Sequence, residues 1–188
     1  MYYSKAQLQK TLSDSNPKYL FFWGHQPSLD GHITASCLSQ WWAGHPFQED
    51  QHTYLTAEHY MMAGKARLFD DGEILEQILQ SGSPGEAKAL GRKVRNFDQE
   101  FWKTHCSEIV VQGNFLKFSQ HPELSAFLLA TYPRVLVEAS PVDAIWGIGL
   151  AKDDRRVYDP FNWKGENLLG FCLMEARDRL MERSSSST

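Results

Sequence analysis

Between Thr56 and Phe69 the chain reads as one helix, and two ionisable residues, Glu58 and Lys65, fall on its apolar side. Seven residues apart, they point within about 20° of each other and stand about 10.5 Å apart along the axis. Met61, Met62 and Phe69 share the stripe. A helix of this kind belongs inside a domain, and Thr56 supplies a hydroxyl to cap its free N–H groups. The two side chains then have two options. They run past the apolar surface to water, as lysine arms readily do, or they face an internal pocket. Burying charge is costly, so an acid and an amine kept among apolar groups suit a pocket in which the ionisation of each is tuned.

A chain of 188 residues suffices for one domain with a substantial core. Six Trp and eleven Phe are enough to fill that core and also to wall a pocket for a flat heterocycle. The net charge of −4 argues against a surface built to grip long stretches of nucleic acid. Cys37, Cys106 and Cys172 are odd in number and widely spaced, with neither metal-type spacing nor a disulfide framework, which fits a reducing compartment. No basic start followed by an apolar run marks a signal peptide, and no stretch is long enough to span a membrane, so the expected location is the cytoplasm.

Short aromatic and β-branched runs predict strands at Tyr19–Trp23, Gln51–Leu55 and, most clearly, Val135–Ala139. Ser36–Trp42 reads as irregular or a short strand. Further helices are expected over Asp71–Gln80, from Pro84 to about Phe97, over Phe101–Phe118 and Pro122–Tyr132, with an amphipathic one from Asn167 to about Met181. The organisation expected is an N-terminal extension (1–18), one domain (19–182) and a disordered Ser-rich tail (183–188). The fold class is α+β: a single compact, mostly helical domain with a small β-sheet.

Three further groupings bear on function. In Ser140-Pro141-Val142-Asp143 the spacing matches a capping box, a structural use. Yet Gly147 and Gly149 leave little room for a helix and permit close backbone approach to a ligand, so Asp143 is also a site candidate. Glu138, within the clearest strand, can point into the same region. Lys88, Arg92 and Arg95 form a basic stripe: Lys88 and Arg95 read as solvated surface, while the planar fork of Arg92 suits a phosphate. His59 has Ala63 at i+4 and hence no zinc-protease pair, and neither a phosphate-binding P-loop nor a nucleophile elbow occurs.

These segments resemble the NADAR, or YbiA-like, family. The resemblance is carried by Thr56 to Ala66, Ala87 to Arg92, Phe97-Asp98 with Trp102, Gly113 to Phe118, Leu136 to Gly149, and Trp163 to Gly170 running into Leu173-Met174. It extends from about residue 20 to residue 180. One departure is Ser39-Gln40-Trp41, where the family has Ser-Asn-Phe or similar. Gln40 keeps the amide but on a longer arm. The region from Asp30 to His52 reads as a variable lid.

The resemblance implies an N-glycosidase. One branch of the family cleaves ribosylamino-pyrimidine phosphates, early intermediates of riboflavin synthesis. Another resembles enzymes that remove ADP-ribose, including from guanine in nucleic acid. The implied partner is a small phosphorylated ribosyl substrate or an ADP-ribosylated base, without cofactor, metal or membrane. A non-catalytic binder of nucleotides or ADP-ribose is the rival class, and it has no need to keep Glu58, Lys65 and Asp143 together. Those three are the expected catalytic residues. Either Glu58 and Asp143 divide the tasks of activating water and protonating the leaving group, or Lys65 forms a Schiff base with the opened sugar, the preferred route. Trp102 and Trp146 are expected to stack on the base, Gln40 and Asn114 to hold sugar hydroxyls, and Arg92 to meet phosphate.

Overall fold

The computed structural model describes residues 2–12 and 15–185. A short helix, α1 (Lys5–Thr11), precedes the first strand, β1 (Tyr19–Phe22). A 3-10 turn (Ala35–Leu38) leads to an antiparallel pair, β2 (Phe47–Glu49) and β3 (His52–Tyr54). Five helices follow: α2 (Ala57–Leu68), α3 (Gly72–Gln80), α4 (Pro84–Gly91), α5 (Gln99–Gln120) and α6 (Pro122–Leu129). The chain then returns as β4 (Val135–Glu138), passes 3-10 turns at Arg155–Tyr158 and Pro160–Asn162, and ends in α7 (Leu168–Ser185). β1 and β4 pair in parallel, with Tyr19 opposite Val135 and Phe22 opposite Glu138. The fold is thus α+β and mostly helical, its strand content divided among the described residues into two two-stranded pieces. No helix among those residues is long and apolar enough to cross a membrane.

Side-chain caps fix where the helices start. Thr56, Asp71, Ser83 and Asp98 accept from the N–H of His59, Ile74, Glu86 and Phe101 respectively, and each cap contributes about 1 kcal/mol. α2 packs against α3, α4 and α5, while α7 packs against α5 and β4. The amphipathic pattern expected of α7 is not what forms: Leu169 to Arg177 are all buried. Its contact with β4 is close enough to demand glycine, because a Cβ on Gly170 would lie 2.1 Å from the Leu136 carbonyl oxygen. Gly170→Ala is expected to destabilise by roughly 2–3 kcal/mol and to lower Tm by about 5–10 °C in a thermal melt.

Three expectations need correction. The helix beginning at Pro84 stops at Gly91 instead of reaching Phe97. Continuing it would require a bond from Arg95 N–H to the Gly91 carbonyl. Asp71 Oδ2 takes that donor (2.8 Å) and Lys65 Nζ takes that acceptor (2.8 Å), so tertiary side chains outcompete the helical bond. The region from Asp30 to His52 is not a detachable lid. Cys37, Leu38, Trp42 and Phe47 are buried in the core, and Lys117 Nζ holds the turn by donating to the carbonyls of Cys37 and Ser39. Of the Ser-rich tail, Arg183 to Ser185 continue α7, and residues 186–188 lie outside the described residues. The N-terminal segment is tied to the domain: Lys5 Nζ donates to the Trp163 carbonyl (2.7 Å) and the Tyr3 hydroxyl to Asp178 (2.6 Å).

Candidate active site

Glu58, Lys65 and Asp143 all line one cavity of about 200 Å³. The α2 helix contributes Glu58, Met61, Met62 and Lys65 to it; α4 contributes Lys88, with Arg92 just past its end. Trp41, Trp102 and Trp146 are the aromatic walls, and Glu138 enters from the end of β4. A second lobe of about 230 Å³ adjoins, sharing Trp41, Lys88, Glu138 and Asp143 with the first and adding Trp23, His25 and Val142.

Glu58 is 3% exposed, and its Oε1 has no hydrogen-bond partner among the described residues. Burial raises its pKa to about 7, with Asp143 adding to the rise and Lys88, the Trp41 indole and Arg92 opposing it. A carboxyl in that range exchanges its proton near neutrality, as a general acid or base must. The backbone explains why it is held there: Thr56 caps α2, and Glu58 N–H donates to the Gln40 carbonyl (2.9 Å).

Lys65 is half-buried, and burial lowers its pKa. Its Nζ donates to the Gly91 carbonyl and lies 4.0 Å from the centroid of the Phe97 ring. No carboxylate among the described residues forms an ion pair with it. Loss of its proton therefore breaks no salt bridge, which favours a free amine.

No helix forms around Asp143. Its Oδ1 accepts the N–H groups of Ile145 and Trp146, both at 2.8 Å, so the aspartate caps its own turn and Ser140 does not cap a helix. The loop lies on a backbone template supplied by the segment from Lys164 to Leu169, which donates to the carbonyls of Ala144 through Ile148. Gly165 permits the contact, since a Cβ there would meet the Gly147 carbonyl at 2.3 Å. Trp146 and Asp143 are thereby both fixed at the cavity wall.

Gln40 lines the cavity, but Asn114 does not. Fully buried in α5, Asn114 donates to Gln40 Oε1 (2.8 Å) and to the Val110 carbonyl (2.9 Å). It reaches the cavity only through Gln40, which corrects the expectation of a direct sugar contact. Arg92 is exposed at the rim, Trp102 and Trp146 are half-buried, and all three line the cavity.

Lys88 was expected at the solvated surface. It is instead half-buried beside Glu58 and Glu138, with its Nζ 5.7 Å from the Trp41 ring centroid. A helical wheel cannot reveal this, because what covers Lys88 comes from Trp41, 47 residues earlier in the chain. Arg95 is at the surface, but it pairs with the buried Asp71 and with Glu73.

A larger, more open groove of about 600 Å³ runs along Glu49, Tyr54, Tyr60 and Arg67. Two polar pairs in it satisfy one another: Tyr60 donates to Glu49 (2.8 Å), and Arg67 to the Tyr54 hydroxyl (2.6 Å). Volume alone favours that groove, while the unpartnered ionisable groups lie in the smaller cavity, and reactive chemistry follows the latter.

Residues 21–181 match the NADAR domain. The chain is 42% identical over 170 residues to N-glycosidase R617 of Acanthamoeba polyphaga mimivirus, covering 86% of this chain and 95% of that one. It is 36% identical over 138 residues to N-glycosidase YbiA of Escherichia coli, covering 73% and 78%. The NMR structure of E. coli YbiA superposes with a TM-score of 0.71 at 30% identity, covering 90% of this chain and 89% of that chain. The chloroplastic riboflavin biosynthesis protein PYRR of Zea mays is 32% identical over 139 residues, 70% of this chain but 20% of that longer protein. The chain belongs to the NADAR domain family and stands among its N-glycosidases, hydrolases of N-glycosyl bonds.

Proposed function

We propose that this chain cleaves the bond between ribose C1 and nitrogen in a ribosylamino-pyrimidine phosphate. The observation that carries the reading is Glu58: a buried carboxyl with an unpartnered oxygen, in an aromatic-walled cavity shared with Asp143 and Lys65. Size supports the substrate class. Lobes of about 200 and 230 Å³ suit one nucleotide-sized ligand, toward the lower end of the ~300–1,000 Å³ range of small-molecule pockets. An ADP-ribosyl base adds a second phosphate, a second ribose and a purine, for which these lobes offer no enclosed room. The likeness to a riboflavin biosynthesis protein points the same way.

The chemistry assigns work to each group. The ribose ring opens to an imine, and Lys65 attacks C1 as the free amine. Glu58 shuttles protons between Lys65, the intermediate and water, and Asp143 stabilises the positive charge that develops at C1. The departing base lies against the tryptophan walls. Gln40, held by Asn114, meets a sugar hydroxyl, and Arg92 at the rim meets the phosphate. Water then releases ribose phosphate from Lys65.

The test offers the purified protein both a ribosylamino-pyrimidine phosphate and an ADP-ribosylated guanine oligonucleotide, with free base and free ADP-ribose measured separately. Release of the pyrimidine with a kcat/KM at least about 100-fold above ADP-ribose release is expected. The opposite preference, or release from neither substrate, would overturn the proposal.

A further inference from the structure

We infer that Glu138 is the acid that protonates the departing nitrogen, a role that rests on the C1–N cleavage proposed above. Its main chain is fully engaged at the end of β4. Glu138 N–H donates to Asn167 Oδ1 (2.9 Å), and its carbonyl accepts from Ile148 N–H (3.0 Å). Asn167 is itself fixed: it is fully buried, adopts φ 56°, and donates through Nδ2 to the Leu136 carbonyl (2.9 Å). In the Glu138 carboxyl, by contrast, Oε2 is buried and has no hydrogen-bond partner among the described residues. Buried carboxyls that serve structure are hydrogen-bonded. One held on a rigid stem with an empty oxygen is placed for something that arrives.

The two lobes say what arrives. Glu138 lies on the wall they share. A sugar joined to a flat base by one bond fits two adjoining lobes with that bond at their junction, which Glu138 lines. Facing the carboxyl are Glu58 from α2, Lys88 from α4 and Asp143 from the following loop, with His25 across the second lobe. Burial, then Asp143 and Glu58, push the Glu138 pKa up to about 8 against the pull of Lys88. The group therefore carries its proton at neutral pH. As the C1–N bond breaks, its electron pair moves onto nitrogen and that nitrogen takes the Glu138 proton. C1 stays bonded to Lys65 as the imine, and the new Glu138 carboxylate faces Lys88. The water that later hydrolyses the imine supplies the proton that restores the acid.

The experiment compares the intact protein with Glu138→Gln and Glu138→Ala, their folds checked by thermal melts. Glu138→Gln is expected to lower kcat by about 10²–10⁴-fold, leave KM within a few-fold, and remove the alkaline limb of the kcat/KM profile. Imidazole, whose protonated form donates a proton near neutral pH, is expected to restore part of the Glu138→Ala rate in proportion to the imidazolium concentration, which a purely structural residue would not allow. A Glu138→Gln kcat within about threefold of the parent, an unchanged alkaline limb, or no response to imidazolium would each overturn the role of Glu138 while leaving the proposed reaction intact. A parent protein that releases no base overturns both.

Discussion

A Glu58→Gln protein is expected to lose about 10²–10⁴-fold in kcat and, at pH 8, to melt several degrees higher than the parent. Both effects come from one cause. The native carboxyl titrates near 7, against an ordinary value of 4.5. Below pH 4.5 it is protonated whether the chain is folded or unfolded, and folding bears no penalty. As the pH rises toward 7 the unfolded form ionises first, and above 7 the folded form holds a buried anion at a cost on the order of 3 kcal/mol. The raised pKa thus contributes stability at acid pH that is gone by pH 8. Glutamine removes the anion, so Tm rises by roughly 5–10 °C at pH 8 and hardly at all at pH 4. Paired melts at the two pH values check this. Equal Tm values at pH 8, or retained turnover, would show that Glu58 is a solvated structural carboxylate.

The sequence made some of this visible because the relevant physics is local. Thr56 caps α2 from a position fixed by chain spacing, and the placing of Glu58 and Lys65 on one helix face follows from helical geometry. What stayed hidden depends on partners distant in sequence. α4 does not run on to Phe97 because Asp71 and Lys65, from other elements, take the Arg95 donor and the Gly91 acceptor that a continued helix would pair. Lys88 leaves the surface because Trp41 stands over it, and Asn114 stays behind the cavity wall, bonded to Gln40, which lines it. β2 escaped notice because three residues, Phe47–Glu49, carry too short an alternation to register. Glu138 was legible as a strand residue near the site. Its unpartnered oxygen and its place between two lobes required coordinates.

The second large effect concerns Lys65. Replacing it with Met preserves the apolar stem against Phe97 and removes the amine, and turnover is expected to fall by at least about 10³-fold. Lys65→Arg should fall by a similar factor, because a guanidinium stays charged and cannot attack a carbonyl carbon. Steady-state rates on the ribosylamino-pyrimidine phosphate check both. Small losses would assign the attack on C1 to water activated by Glu58. Either variant also frees the Gly91 carbonyl, so melting curves must accompany the rates.

The central claim is that a lysine with no acidic partner among the described residues joins buried carboxyls to open a C1–N bond, and one measurement reaches it directly. Borohydride added during turnover, followed by mass spectrometry of the digested protein, is expected to find a reduced ribose phosphate adduct on Lys65 and on no other lysine. An active enzyme that yields no adduct, or an adduct on Lys88 in its place, would contradict the account.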